Sequence, residues 1–240
     1  MLERNIGIVG DGATDIAIFK KICECILSNG DRDSPTANYI ELKRQNIHDC
    51  VERYCREVNK VSSVCYLTGE QASQFRNSVT NTLYTAFGEF EAEIGPISNH
   101  DILLLTADSE NVLSYPDDYF KDWRFSISKI LMGGIEEFYR AKARDGYTHE
   151  CLPLVIPVVT FPSTEIFIAA VRDMIGKNYG KKPGELKQAL YGTTNLQTLR
   201  EEVFTEKALD FITPESIGKI FQNVPESRYF IQTLSFGRGV

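Results

Sequence analysis

The sequence of 240 residues has no apolar run approaching the roughly eighteen residues of a membrane span. The N-terminal Met1-Leu2-Glu3-Arg4-Asn5 leads directly into a short apolar segment without a signal-peptide pattern, so a cytoplasmic protein is expected, with no membrane contact. Cysteine is sparse: Cys23, Cys25, Cys50, Cys55, Cys65 and Cys151 are too few for a disulfide scaffold and are expected to remain thiols. Basic charge is in deficit. Lys+Arg 26 against Asp+Glu 33 gives a net charge of −7, which excludes non-specific attraction to nucleic acid and leaves only a local patch for such a contact. No Gly-x-x-x-x-Gly-Lys-Ser/Thr occurs, so the chain has no P-loop of its own. Three histidines without a partnered nucleophile give no triad.

What is present alternates between strand and helix periodicities. Asn5–Gly10 is apolar and extended in character, and after the polar turn Asp11–Asp15 the residues Ile16, Phe19, Ile22, Cys23 and Ile26 recur at helical spacing. Asn38–Leu42 and Val61–Leu67 have strand character, and Ile47, Cys50, Val51, Tyr54 and Val58 mark a helix between them. Phe75, Val79, Leu83, Phe87 and Phe90 predict a long helix from Glu70 to Ile94, ended by Gly95-Pro96. Asp101–Leu105 is a continuous apolar run, as in a strand covered on both faces, and Thr106-Ala107-Asp108-Ser109-Glu110 is its polar tail. Asp117–Arg144 is expected to be helical with an interruption near Gly133-Gly134, and Leu152–Phe161 is a strand whose two prolines suggest an edge or a bulged start. From Ser163 onward only helices are expected. The pattern predicts an α/β protein with a mostly parallel sheet: a core over residues 1–162 and a helical extension over 163–240 packed on it.

In such a sheet, ligands collect beyond the carboxyl ends of the strands, where acids from distant segments converge. Three places qualify: Asp11 and Asp15 after the first strand, Asp108 and Glu110 after the Leu-rich strand, and Glu165 after Val158-Val159-Thr160-Phe161. Hard oxygen donors of this kind suit Mg²⁺ or Mn²⁺, with Asp11, Asp15, Asp108 and Glu110 as metal ligands and Asp11, Asp108 and Glu165 as the catalytic set. The convergence requires the first and Leu-rich strands to be parallel neighbours. The alternative stands beside it: Asp15 and Glu165 lie at helix starts, where a carboxylate complements the helix dipole without any further role.

Val9-Gly10-Asp11-Gly12-Ala13-Thr14-Asp15 resembles the opening of TOPRIM-like proteins, in which a strand ends in Glu-Gly-x-Thr-Glu, with aspartate at both glutamate positions here. Leu103-Leu104-Leu105-Thr106-Ala107-Asp108 is similar to the second TOPRIM motif, a strand followed by Asp-x-Asp, with Thr106 at the first aspartate and an offset pairing Asp108-Ser109-Glu110 also open. Pro162–Ala170 resembles the Glu-x-Trp segment of a small TOPRIM-like family, and Lys181-Lys182-Pro183-Gly184-Glu185-Leu186 its Lys-x-Pro-x-x-Leu helix start. The resemblance implies a Rossmann-like TOPRIM core related to overcoming-lysogenization-defect nucleases, hence a Mg²⁺- or Mn²⁺-dependent nuclease or other phosphodiester-acting effector of phage defence. It equally implies the alternative of a catalytically degenerate adaptor or regulatory subunit that works with a separate ATPase.

Other patterns lead elsewhere. Gly10-x-Gly12 with Glu41 is similar to a dinucleotide fingerprint, but Asp15 stands where the third glycine packs the helix and would repel pyrophosphate. Gly10–Asp15 also resembles the late Gly-Asp-Gly-x-x-Asp motif of haloacid-dehalogenase phosphatases, yet no nucleophile loop precedes it. Cys50, Cys55, Cys65 and His48 lack a Cys-x-x-Cys pair and are expected to be core thiols and a bystander. Lys177, Lys181, Lys182 and Lys187, with Tyr179 among them, form the nearest approach to a basic patch; the run has two readings, contact with phosphates beside the acidic centre or, the more usual one, a solvated helix end facing water.

Overall fold

A computed structural model of the chain describes residues 4–10, 12–28, 37–42, 51, 69–109, 123–175, 183–192 and 201–236. The expected helix around Ile47–Val58, apart from Val51, and the expected strand Val61–Leu67 lie outside them. The described strands are β1 (Asn5–Val9), β2 (Asn38–Leu42), β3 (Ile102–Asp108) and β4 (Leu154–Thr160). They form one sheet in the order β2-β1-β3-β4, every neighbouring pair parallel. The protein is therefore α/β, with a Rossmann-like core followed by helices.

Because side chains alternate across a strand, each face of the sheet builds its own core. Ile6, Ile8, Ile102, Leu104, Ile156 and Val158 point to one face. There they meet α1 (Ala13–Ser28) and the C-terminal helices α4 (Glu165–Val171), α5 (Pro183–Tyr191), α6 (Glu201–Phe211), α7 (Ile217–Asn223) and α8 (Arg228–Phe236). Phe19 of α1 ties this layer together, with its ring edge-on to Phe167 at 5.6 Å and to Phe230 at 5.9 Å between centroids. The opposite face, with Val9, Leu103, Leu105, Ala107, Val155 and Val159, is covered by α2 (Gly69–Ile94) and α3 (Trp123–Arg144). Phe75, Val79, Leu83, Phe87 and Phe90, the helical repeat read from the sequence, are all buried there.

Two local expectations need correction. The Gly133-Gly134 pair does not interrupt α3, which runs unbroken through it. A Cβ on Gly134 would lie 2.7 Å from Val79, so the missing side chain lets α2 and α3 approach closely, and Thr80 Oγ1 donates to the Gly134 carbonyl at 3.1 Å. The Leu-rich strand, read as ending at Leu105, continues three residues further: Thr106, Ala107 and Asp108 still pair with Val158, Val159 and Thr160. Its polar end is retained in the sheet because Thr106 Oγ1 donates to the Val9 carbonyl at 2.8 Å, which satisfies the hydroxyl between two strands. Among the described strands β4 is an edge, as its prolines suggest, and Pro157 sits opposite Leu105 without a bulge. The Tyr139 hydroxyl donates to the Pro153 carbonyl and accepts from the Val155 N–H, each at 2.9 Å, sealing the start of that edge.

Among the described residues no helix is long and apolar enough to cross a membrane.

Candidate functional site

β1 and β3 are parallel neighbours, with Val9 beside Leu105, so the turns that follow them open on the same edge of the sheet. That edge is also where β4 ends, because Asp108 is paired with Thr160. Three of the acids singled out from the sequence meet here: Asp108 as the last residue of β3, Asp15 in the first turn of α1, and Glu165 as the first residue of α4. Asp11 and Glu110 lie outside the described residues.

The two inner acids are deeply buried, Asp108 at 6% exposure and Glu165 at 2%. Asp108 Oδ1 accepts hydrogen bonds from Thr160 Oγ1 and from Thr164 Oγ1, the latter at 2.9 Å. Burial, followed by the negative charges of Asp15 and Glu165, nevertheless pushes the Asp108 carboxyl well above the usual carboxylate range, and the two hydroxyls only partly oppose this. Glu165 is held at both oxygens. Ser163 Oγ donates to Oε2 at 2.6 Å, and Lys187 Nζ lies 3.4 Å from Oε1. Burial works against the Lys187 ammonium, but Glu165, Asp15 and Asp108 outweigh it and keep its pKa above that of an ordinary lysine. Tyr191, one helical turn beyond Lys187 on α5, has its phenol pushed up by burial and by the charges of Glu165 and Asp15.

The surrounding loops are fixed by the same edge. Ser109 is fully buried; its N–H donates to the Thr160 carbonyl at 3.0 Å and its hydroxyl to the Pro162 carbonyl at 3.3 Å. The start of α1 is tied to the C-terminal helices through Thr14 Oγ1 and Thr205 Oγ1, 2.7 Å apart. A Cβ on Gly10 would fall 2.5 Å from Ile16 Cγ1, so the turn between β1 and α1 needs glycine there.

Sequence reasoning missed the polar partners. The sequence places Lys187 with Lys177, Lys181 and Lys182 either on phosphates beside the acidic centre or in water; the structure sets its ammonium on Glu165 itself. Lys177, Lys181 and Lys182 lie outside the described residues. The signal available was the spacing of Lys187 and Tyr191, four apart and so on one helix face, beside the buried Leu186 and Leu190. Ser163 and Thr164 gave a second signal, since two hydroxyls next to Glu165 in a buried turn need acceptors. The placement of Asp15 and Glu165 at helix starts is real as well, and it coexists with their convergence on Asp108.

Chemically the described part of this edge is an acid-rich cluster: three carboxyl groups and one ammonium, with three hydroxyls holding two of the acids in place. Hard oxygen donors in negative excess fit a divalent cation. Among the described residues no three His, Cys, Asp or Glu side chains stand around one point as a ready metal cluster. Comparison of the chain with family models, with curated proteins and with solved structures gives no match.

Proposed function

We propose that the chain is a TOPRIM-like phosphodiester hydrolase, a nuclease acting in the cytoplasm as an effector of phage defence, that uses Mg²⁺ or Mn²⁺ held at the carboxyl edge of β1 and β3. The single observation that carries this reading is Asp108. It is a buried carboxylate at the end of a central strand, facing two further carboxylates from distant segments, so its ionised form is costly without added positive charge. Asp108 and Glu165 would hold the cation together with Asp11 and Glu110, and Asp15 would add to the negative field. Bound there, the cation supplies an activated water and charge stabilisation at the leaving oxygen. The chain's own residues do the rest: Thr160 and Thr164 fix Asp108 Oδ1, Ser163 fixes Glu165, and Ser109 ties the end of β3 to the turn after β4.

Glu165→Gln keeps the shape of the side chain. Cleavage of single- or double-stranded DNA or RNA with Mn²⁺ should fall by at least about a hundredfold in this variant, with the fold intact by circular dichroism. The assay is run on the protein alone and with a genetically adjacent ATPase, the partner class that the TOPRIM-like resemblance implies. Wild-type inactivity in both settings would replace this reading with the second one.

That second reading, an adaptor or regulatory subunit, is favoured by Thr106. Where the resemblance places a carboxylate, its hydroxyl is committed to the Val9 carbonyl, so one potential ligand is replaced by a strand-to-strand hydrogen bond.

A further inference from the structure

Among the described residues three large apolar side chains are exposed, Met132 at 36%, Leu154 at 39% and Tyr229 at 45%. They come from three elements and gather around one edge of the sheet. Tyr139, whose hydroxyl bonds to the Pro153 carbonyl and the Val155 N–H, marks the face of α3 that overhangs β4, and Met132 stands two turns before it on that face. Leu154 shares its side of β4 with Ile156 and Val158, where α8 packs, and Tyr229 at the start of α8 is close enough for its phenol to act on that of Tyr139.

This edge does not accept an added strand. The Leu154 N–H donates to the Asp101 carbonyl at 2.9 Å, so alternate residues from Leu154 onward turn their backbone groups to β3, and Val155, Pro157 and Val159 turn theirs outward. Tyr139 already holds the Val155 N–H, and Pro157 has none to offer. A partner must therefore cover the edge with side chains, and the charges beside the patch say which partner. Glu136 and Arg140 lie one turn apart on the outer side of α3, 64% and 68% exposed, and their link to each other is long at 3.6 Å, so exchanging it for another costs little. A twofold axis normal to the sheet would lay two α3 helices antiparallel, with Glu136 of each copy beside Arg140 of the other. The chain carries a net charge of −7 and repels itself over most approaches, whereas along this helix Glu136 and Glu137 are balanced by Arg140 and Arg144. We propose that the β4 edge, with Met132, Tyr139, Leu154 and Tyr229 at its centre, is a self-association surface that joins two copies of the chain through antiparallel α3 helices.

The test is sedimentation of the full-length protein over a concentration series, for wild type, Tyr229→Ser, Arg140→Glu and the double variant Glu136→Arg/Arg140→Glu, with circular dichroism to follow folding. All three positions are exposed, so none of the substitutions touches the core. Wild type should form a dimer, and Tyr229→Ser and Arg140→Glu should each weaken it at least about tenfold. The double variant should regain most of the wild-type affinity, because exchanging both charges restores opposite signs across the axis. Wild type that stays monomeric at about 100 μM would overturn the proposal and leave the edge to a partner of another sequence. A dimer indifferent to both single substitutions, or a double variant as weak as Arg140→Glu, would overturn it as well.

Discussion

Strand β3 is flanked by two buried aspartates, Asp101 just before its first residue and Asp108 as its last, and the two differ in their partners. Asp101, at the amino end, is 4% exposed, and Asp108, at the carboxyl end, is 6% exposed. Asp101 Oδ1 accepts from the Asn5 N–H at 3.2 Å and from Asn5 Nδ2 at 2.9 Å. Its Oδ2 accepts from the Ser98 N–H at 2.8 Å and from Ser98 Oγ at 3.0 Å. Four donors and no neighbouring acid make it a staple between β1, β3 and the turn that enters β3. Asp108 receives two hydroxyls on one oxygen, and its burial and the charges of Asp15 and Glu165 outweigh them and the nearby ammonium of Lys187. Equal burial thus yields a stabilising group at one end of the strand and an electrostatically strained one at the other. What decides is the partner set, and a buried acid perturbed by neighbouring acids is a candidate functional group on physical grounds.

The same substitution at both ends should break the symmetry. Asp101→Asn replaces one acceptor oxygen by an NH₂ that faces donors, orphaning two of the four hydrogen bonds, so unfolding free energy should fall by about 3 kcal/mol. Calorimetry should show this as a Tm lower by roughly 6 to 12 °C. An unchanged Tm would mean that Asp101 is not the staple its contacts describe.

Asp108→Asn should go the other way. The amide keeps a carbonyl oxygen for Thr160 and Thr164 and removes a charge that burial, Asp15 and Glu165 all disfavour, so the protein should be more stable than wild type at neutral pH. The sign follows from the raised carboxyl. Above its folded-state pKa, Asp108 is ionised in both states and its full destabilisation is present. As pH falls from there toward the ordinary carboxylate range, the folded form takes up a proton first and the cost disappears. The advantage of Asp108→Asn over wild type should therefore shrink as the solution is acidified, and denaturant melts at neutral and acidic pH would show it. A gap that widens on acidification would contradict the electrostatic origin.

The sheet was legible because its signals are local. The apolar run Ile102–Leu105 announces a strand buried on both faces, and residues such as Phe19 and Phe87 fall on the spacing that one helix face requires. The site was legible as a set of acids after strand ends, and the parallel pairing of β1 with β3 brings Asp15 and Asp108 to one edge. Its counter-charge was not. Lys187 comes from a helix that starts at Pro183, far from β3 in the chain; its spacing to Tyr191 marks a helix face, but which acid that face meets is decided only when α5 packs beside α4. Gly134 was misread for a related reason: a glycine pair signals a break when only its own segment is considered, whereas Val79 on another helix is what requires it. Thr106 is a third case. Its hydroxyl looks like a vacated ligand position in the motif and proves to be a bridge to β1.

The smallest effect is expected from a second comparison, between two lysines. Lys187 sits over carboxylates and has a raised pKa, whereas Lys142, near the end of α3, is 8% exposed with its Nζ 3.9 Å from the Phe87 ring centroid, 4.6 Å from that of Tyr147 and 4.9 Å from that of Tyr84. Burial lowers the Lys142 pKa, and Asp145 and Glu91 oppose this only in part. Three aromatic faces attract the ammonium by about 0.5 to 2 kcal/mol, while desolvation of the same group acts against it. Lys142→Met fills the same space with a polarisable apolar chain that also packs well on aromatic rings. The two losses offset each other, so its Tm should lie within about 2 °C of wild type, and its Mn²⁺ affinity should be unchanged because the cage stands away from the acidic edge. A large loss of stability in Lys142→Met would show that the aromatic cage depends on the charge and not merely on the volume it encloses.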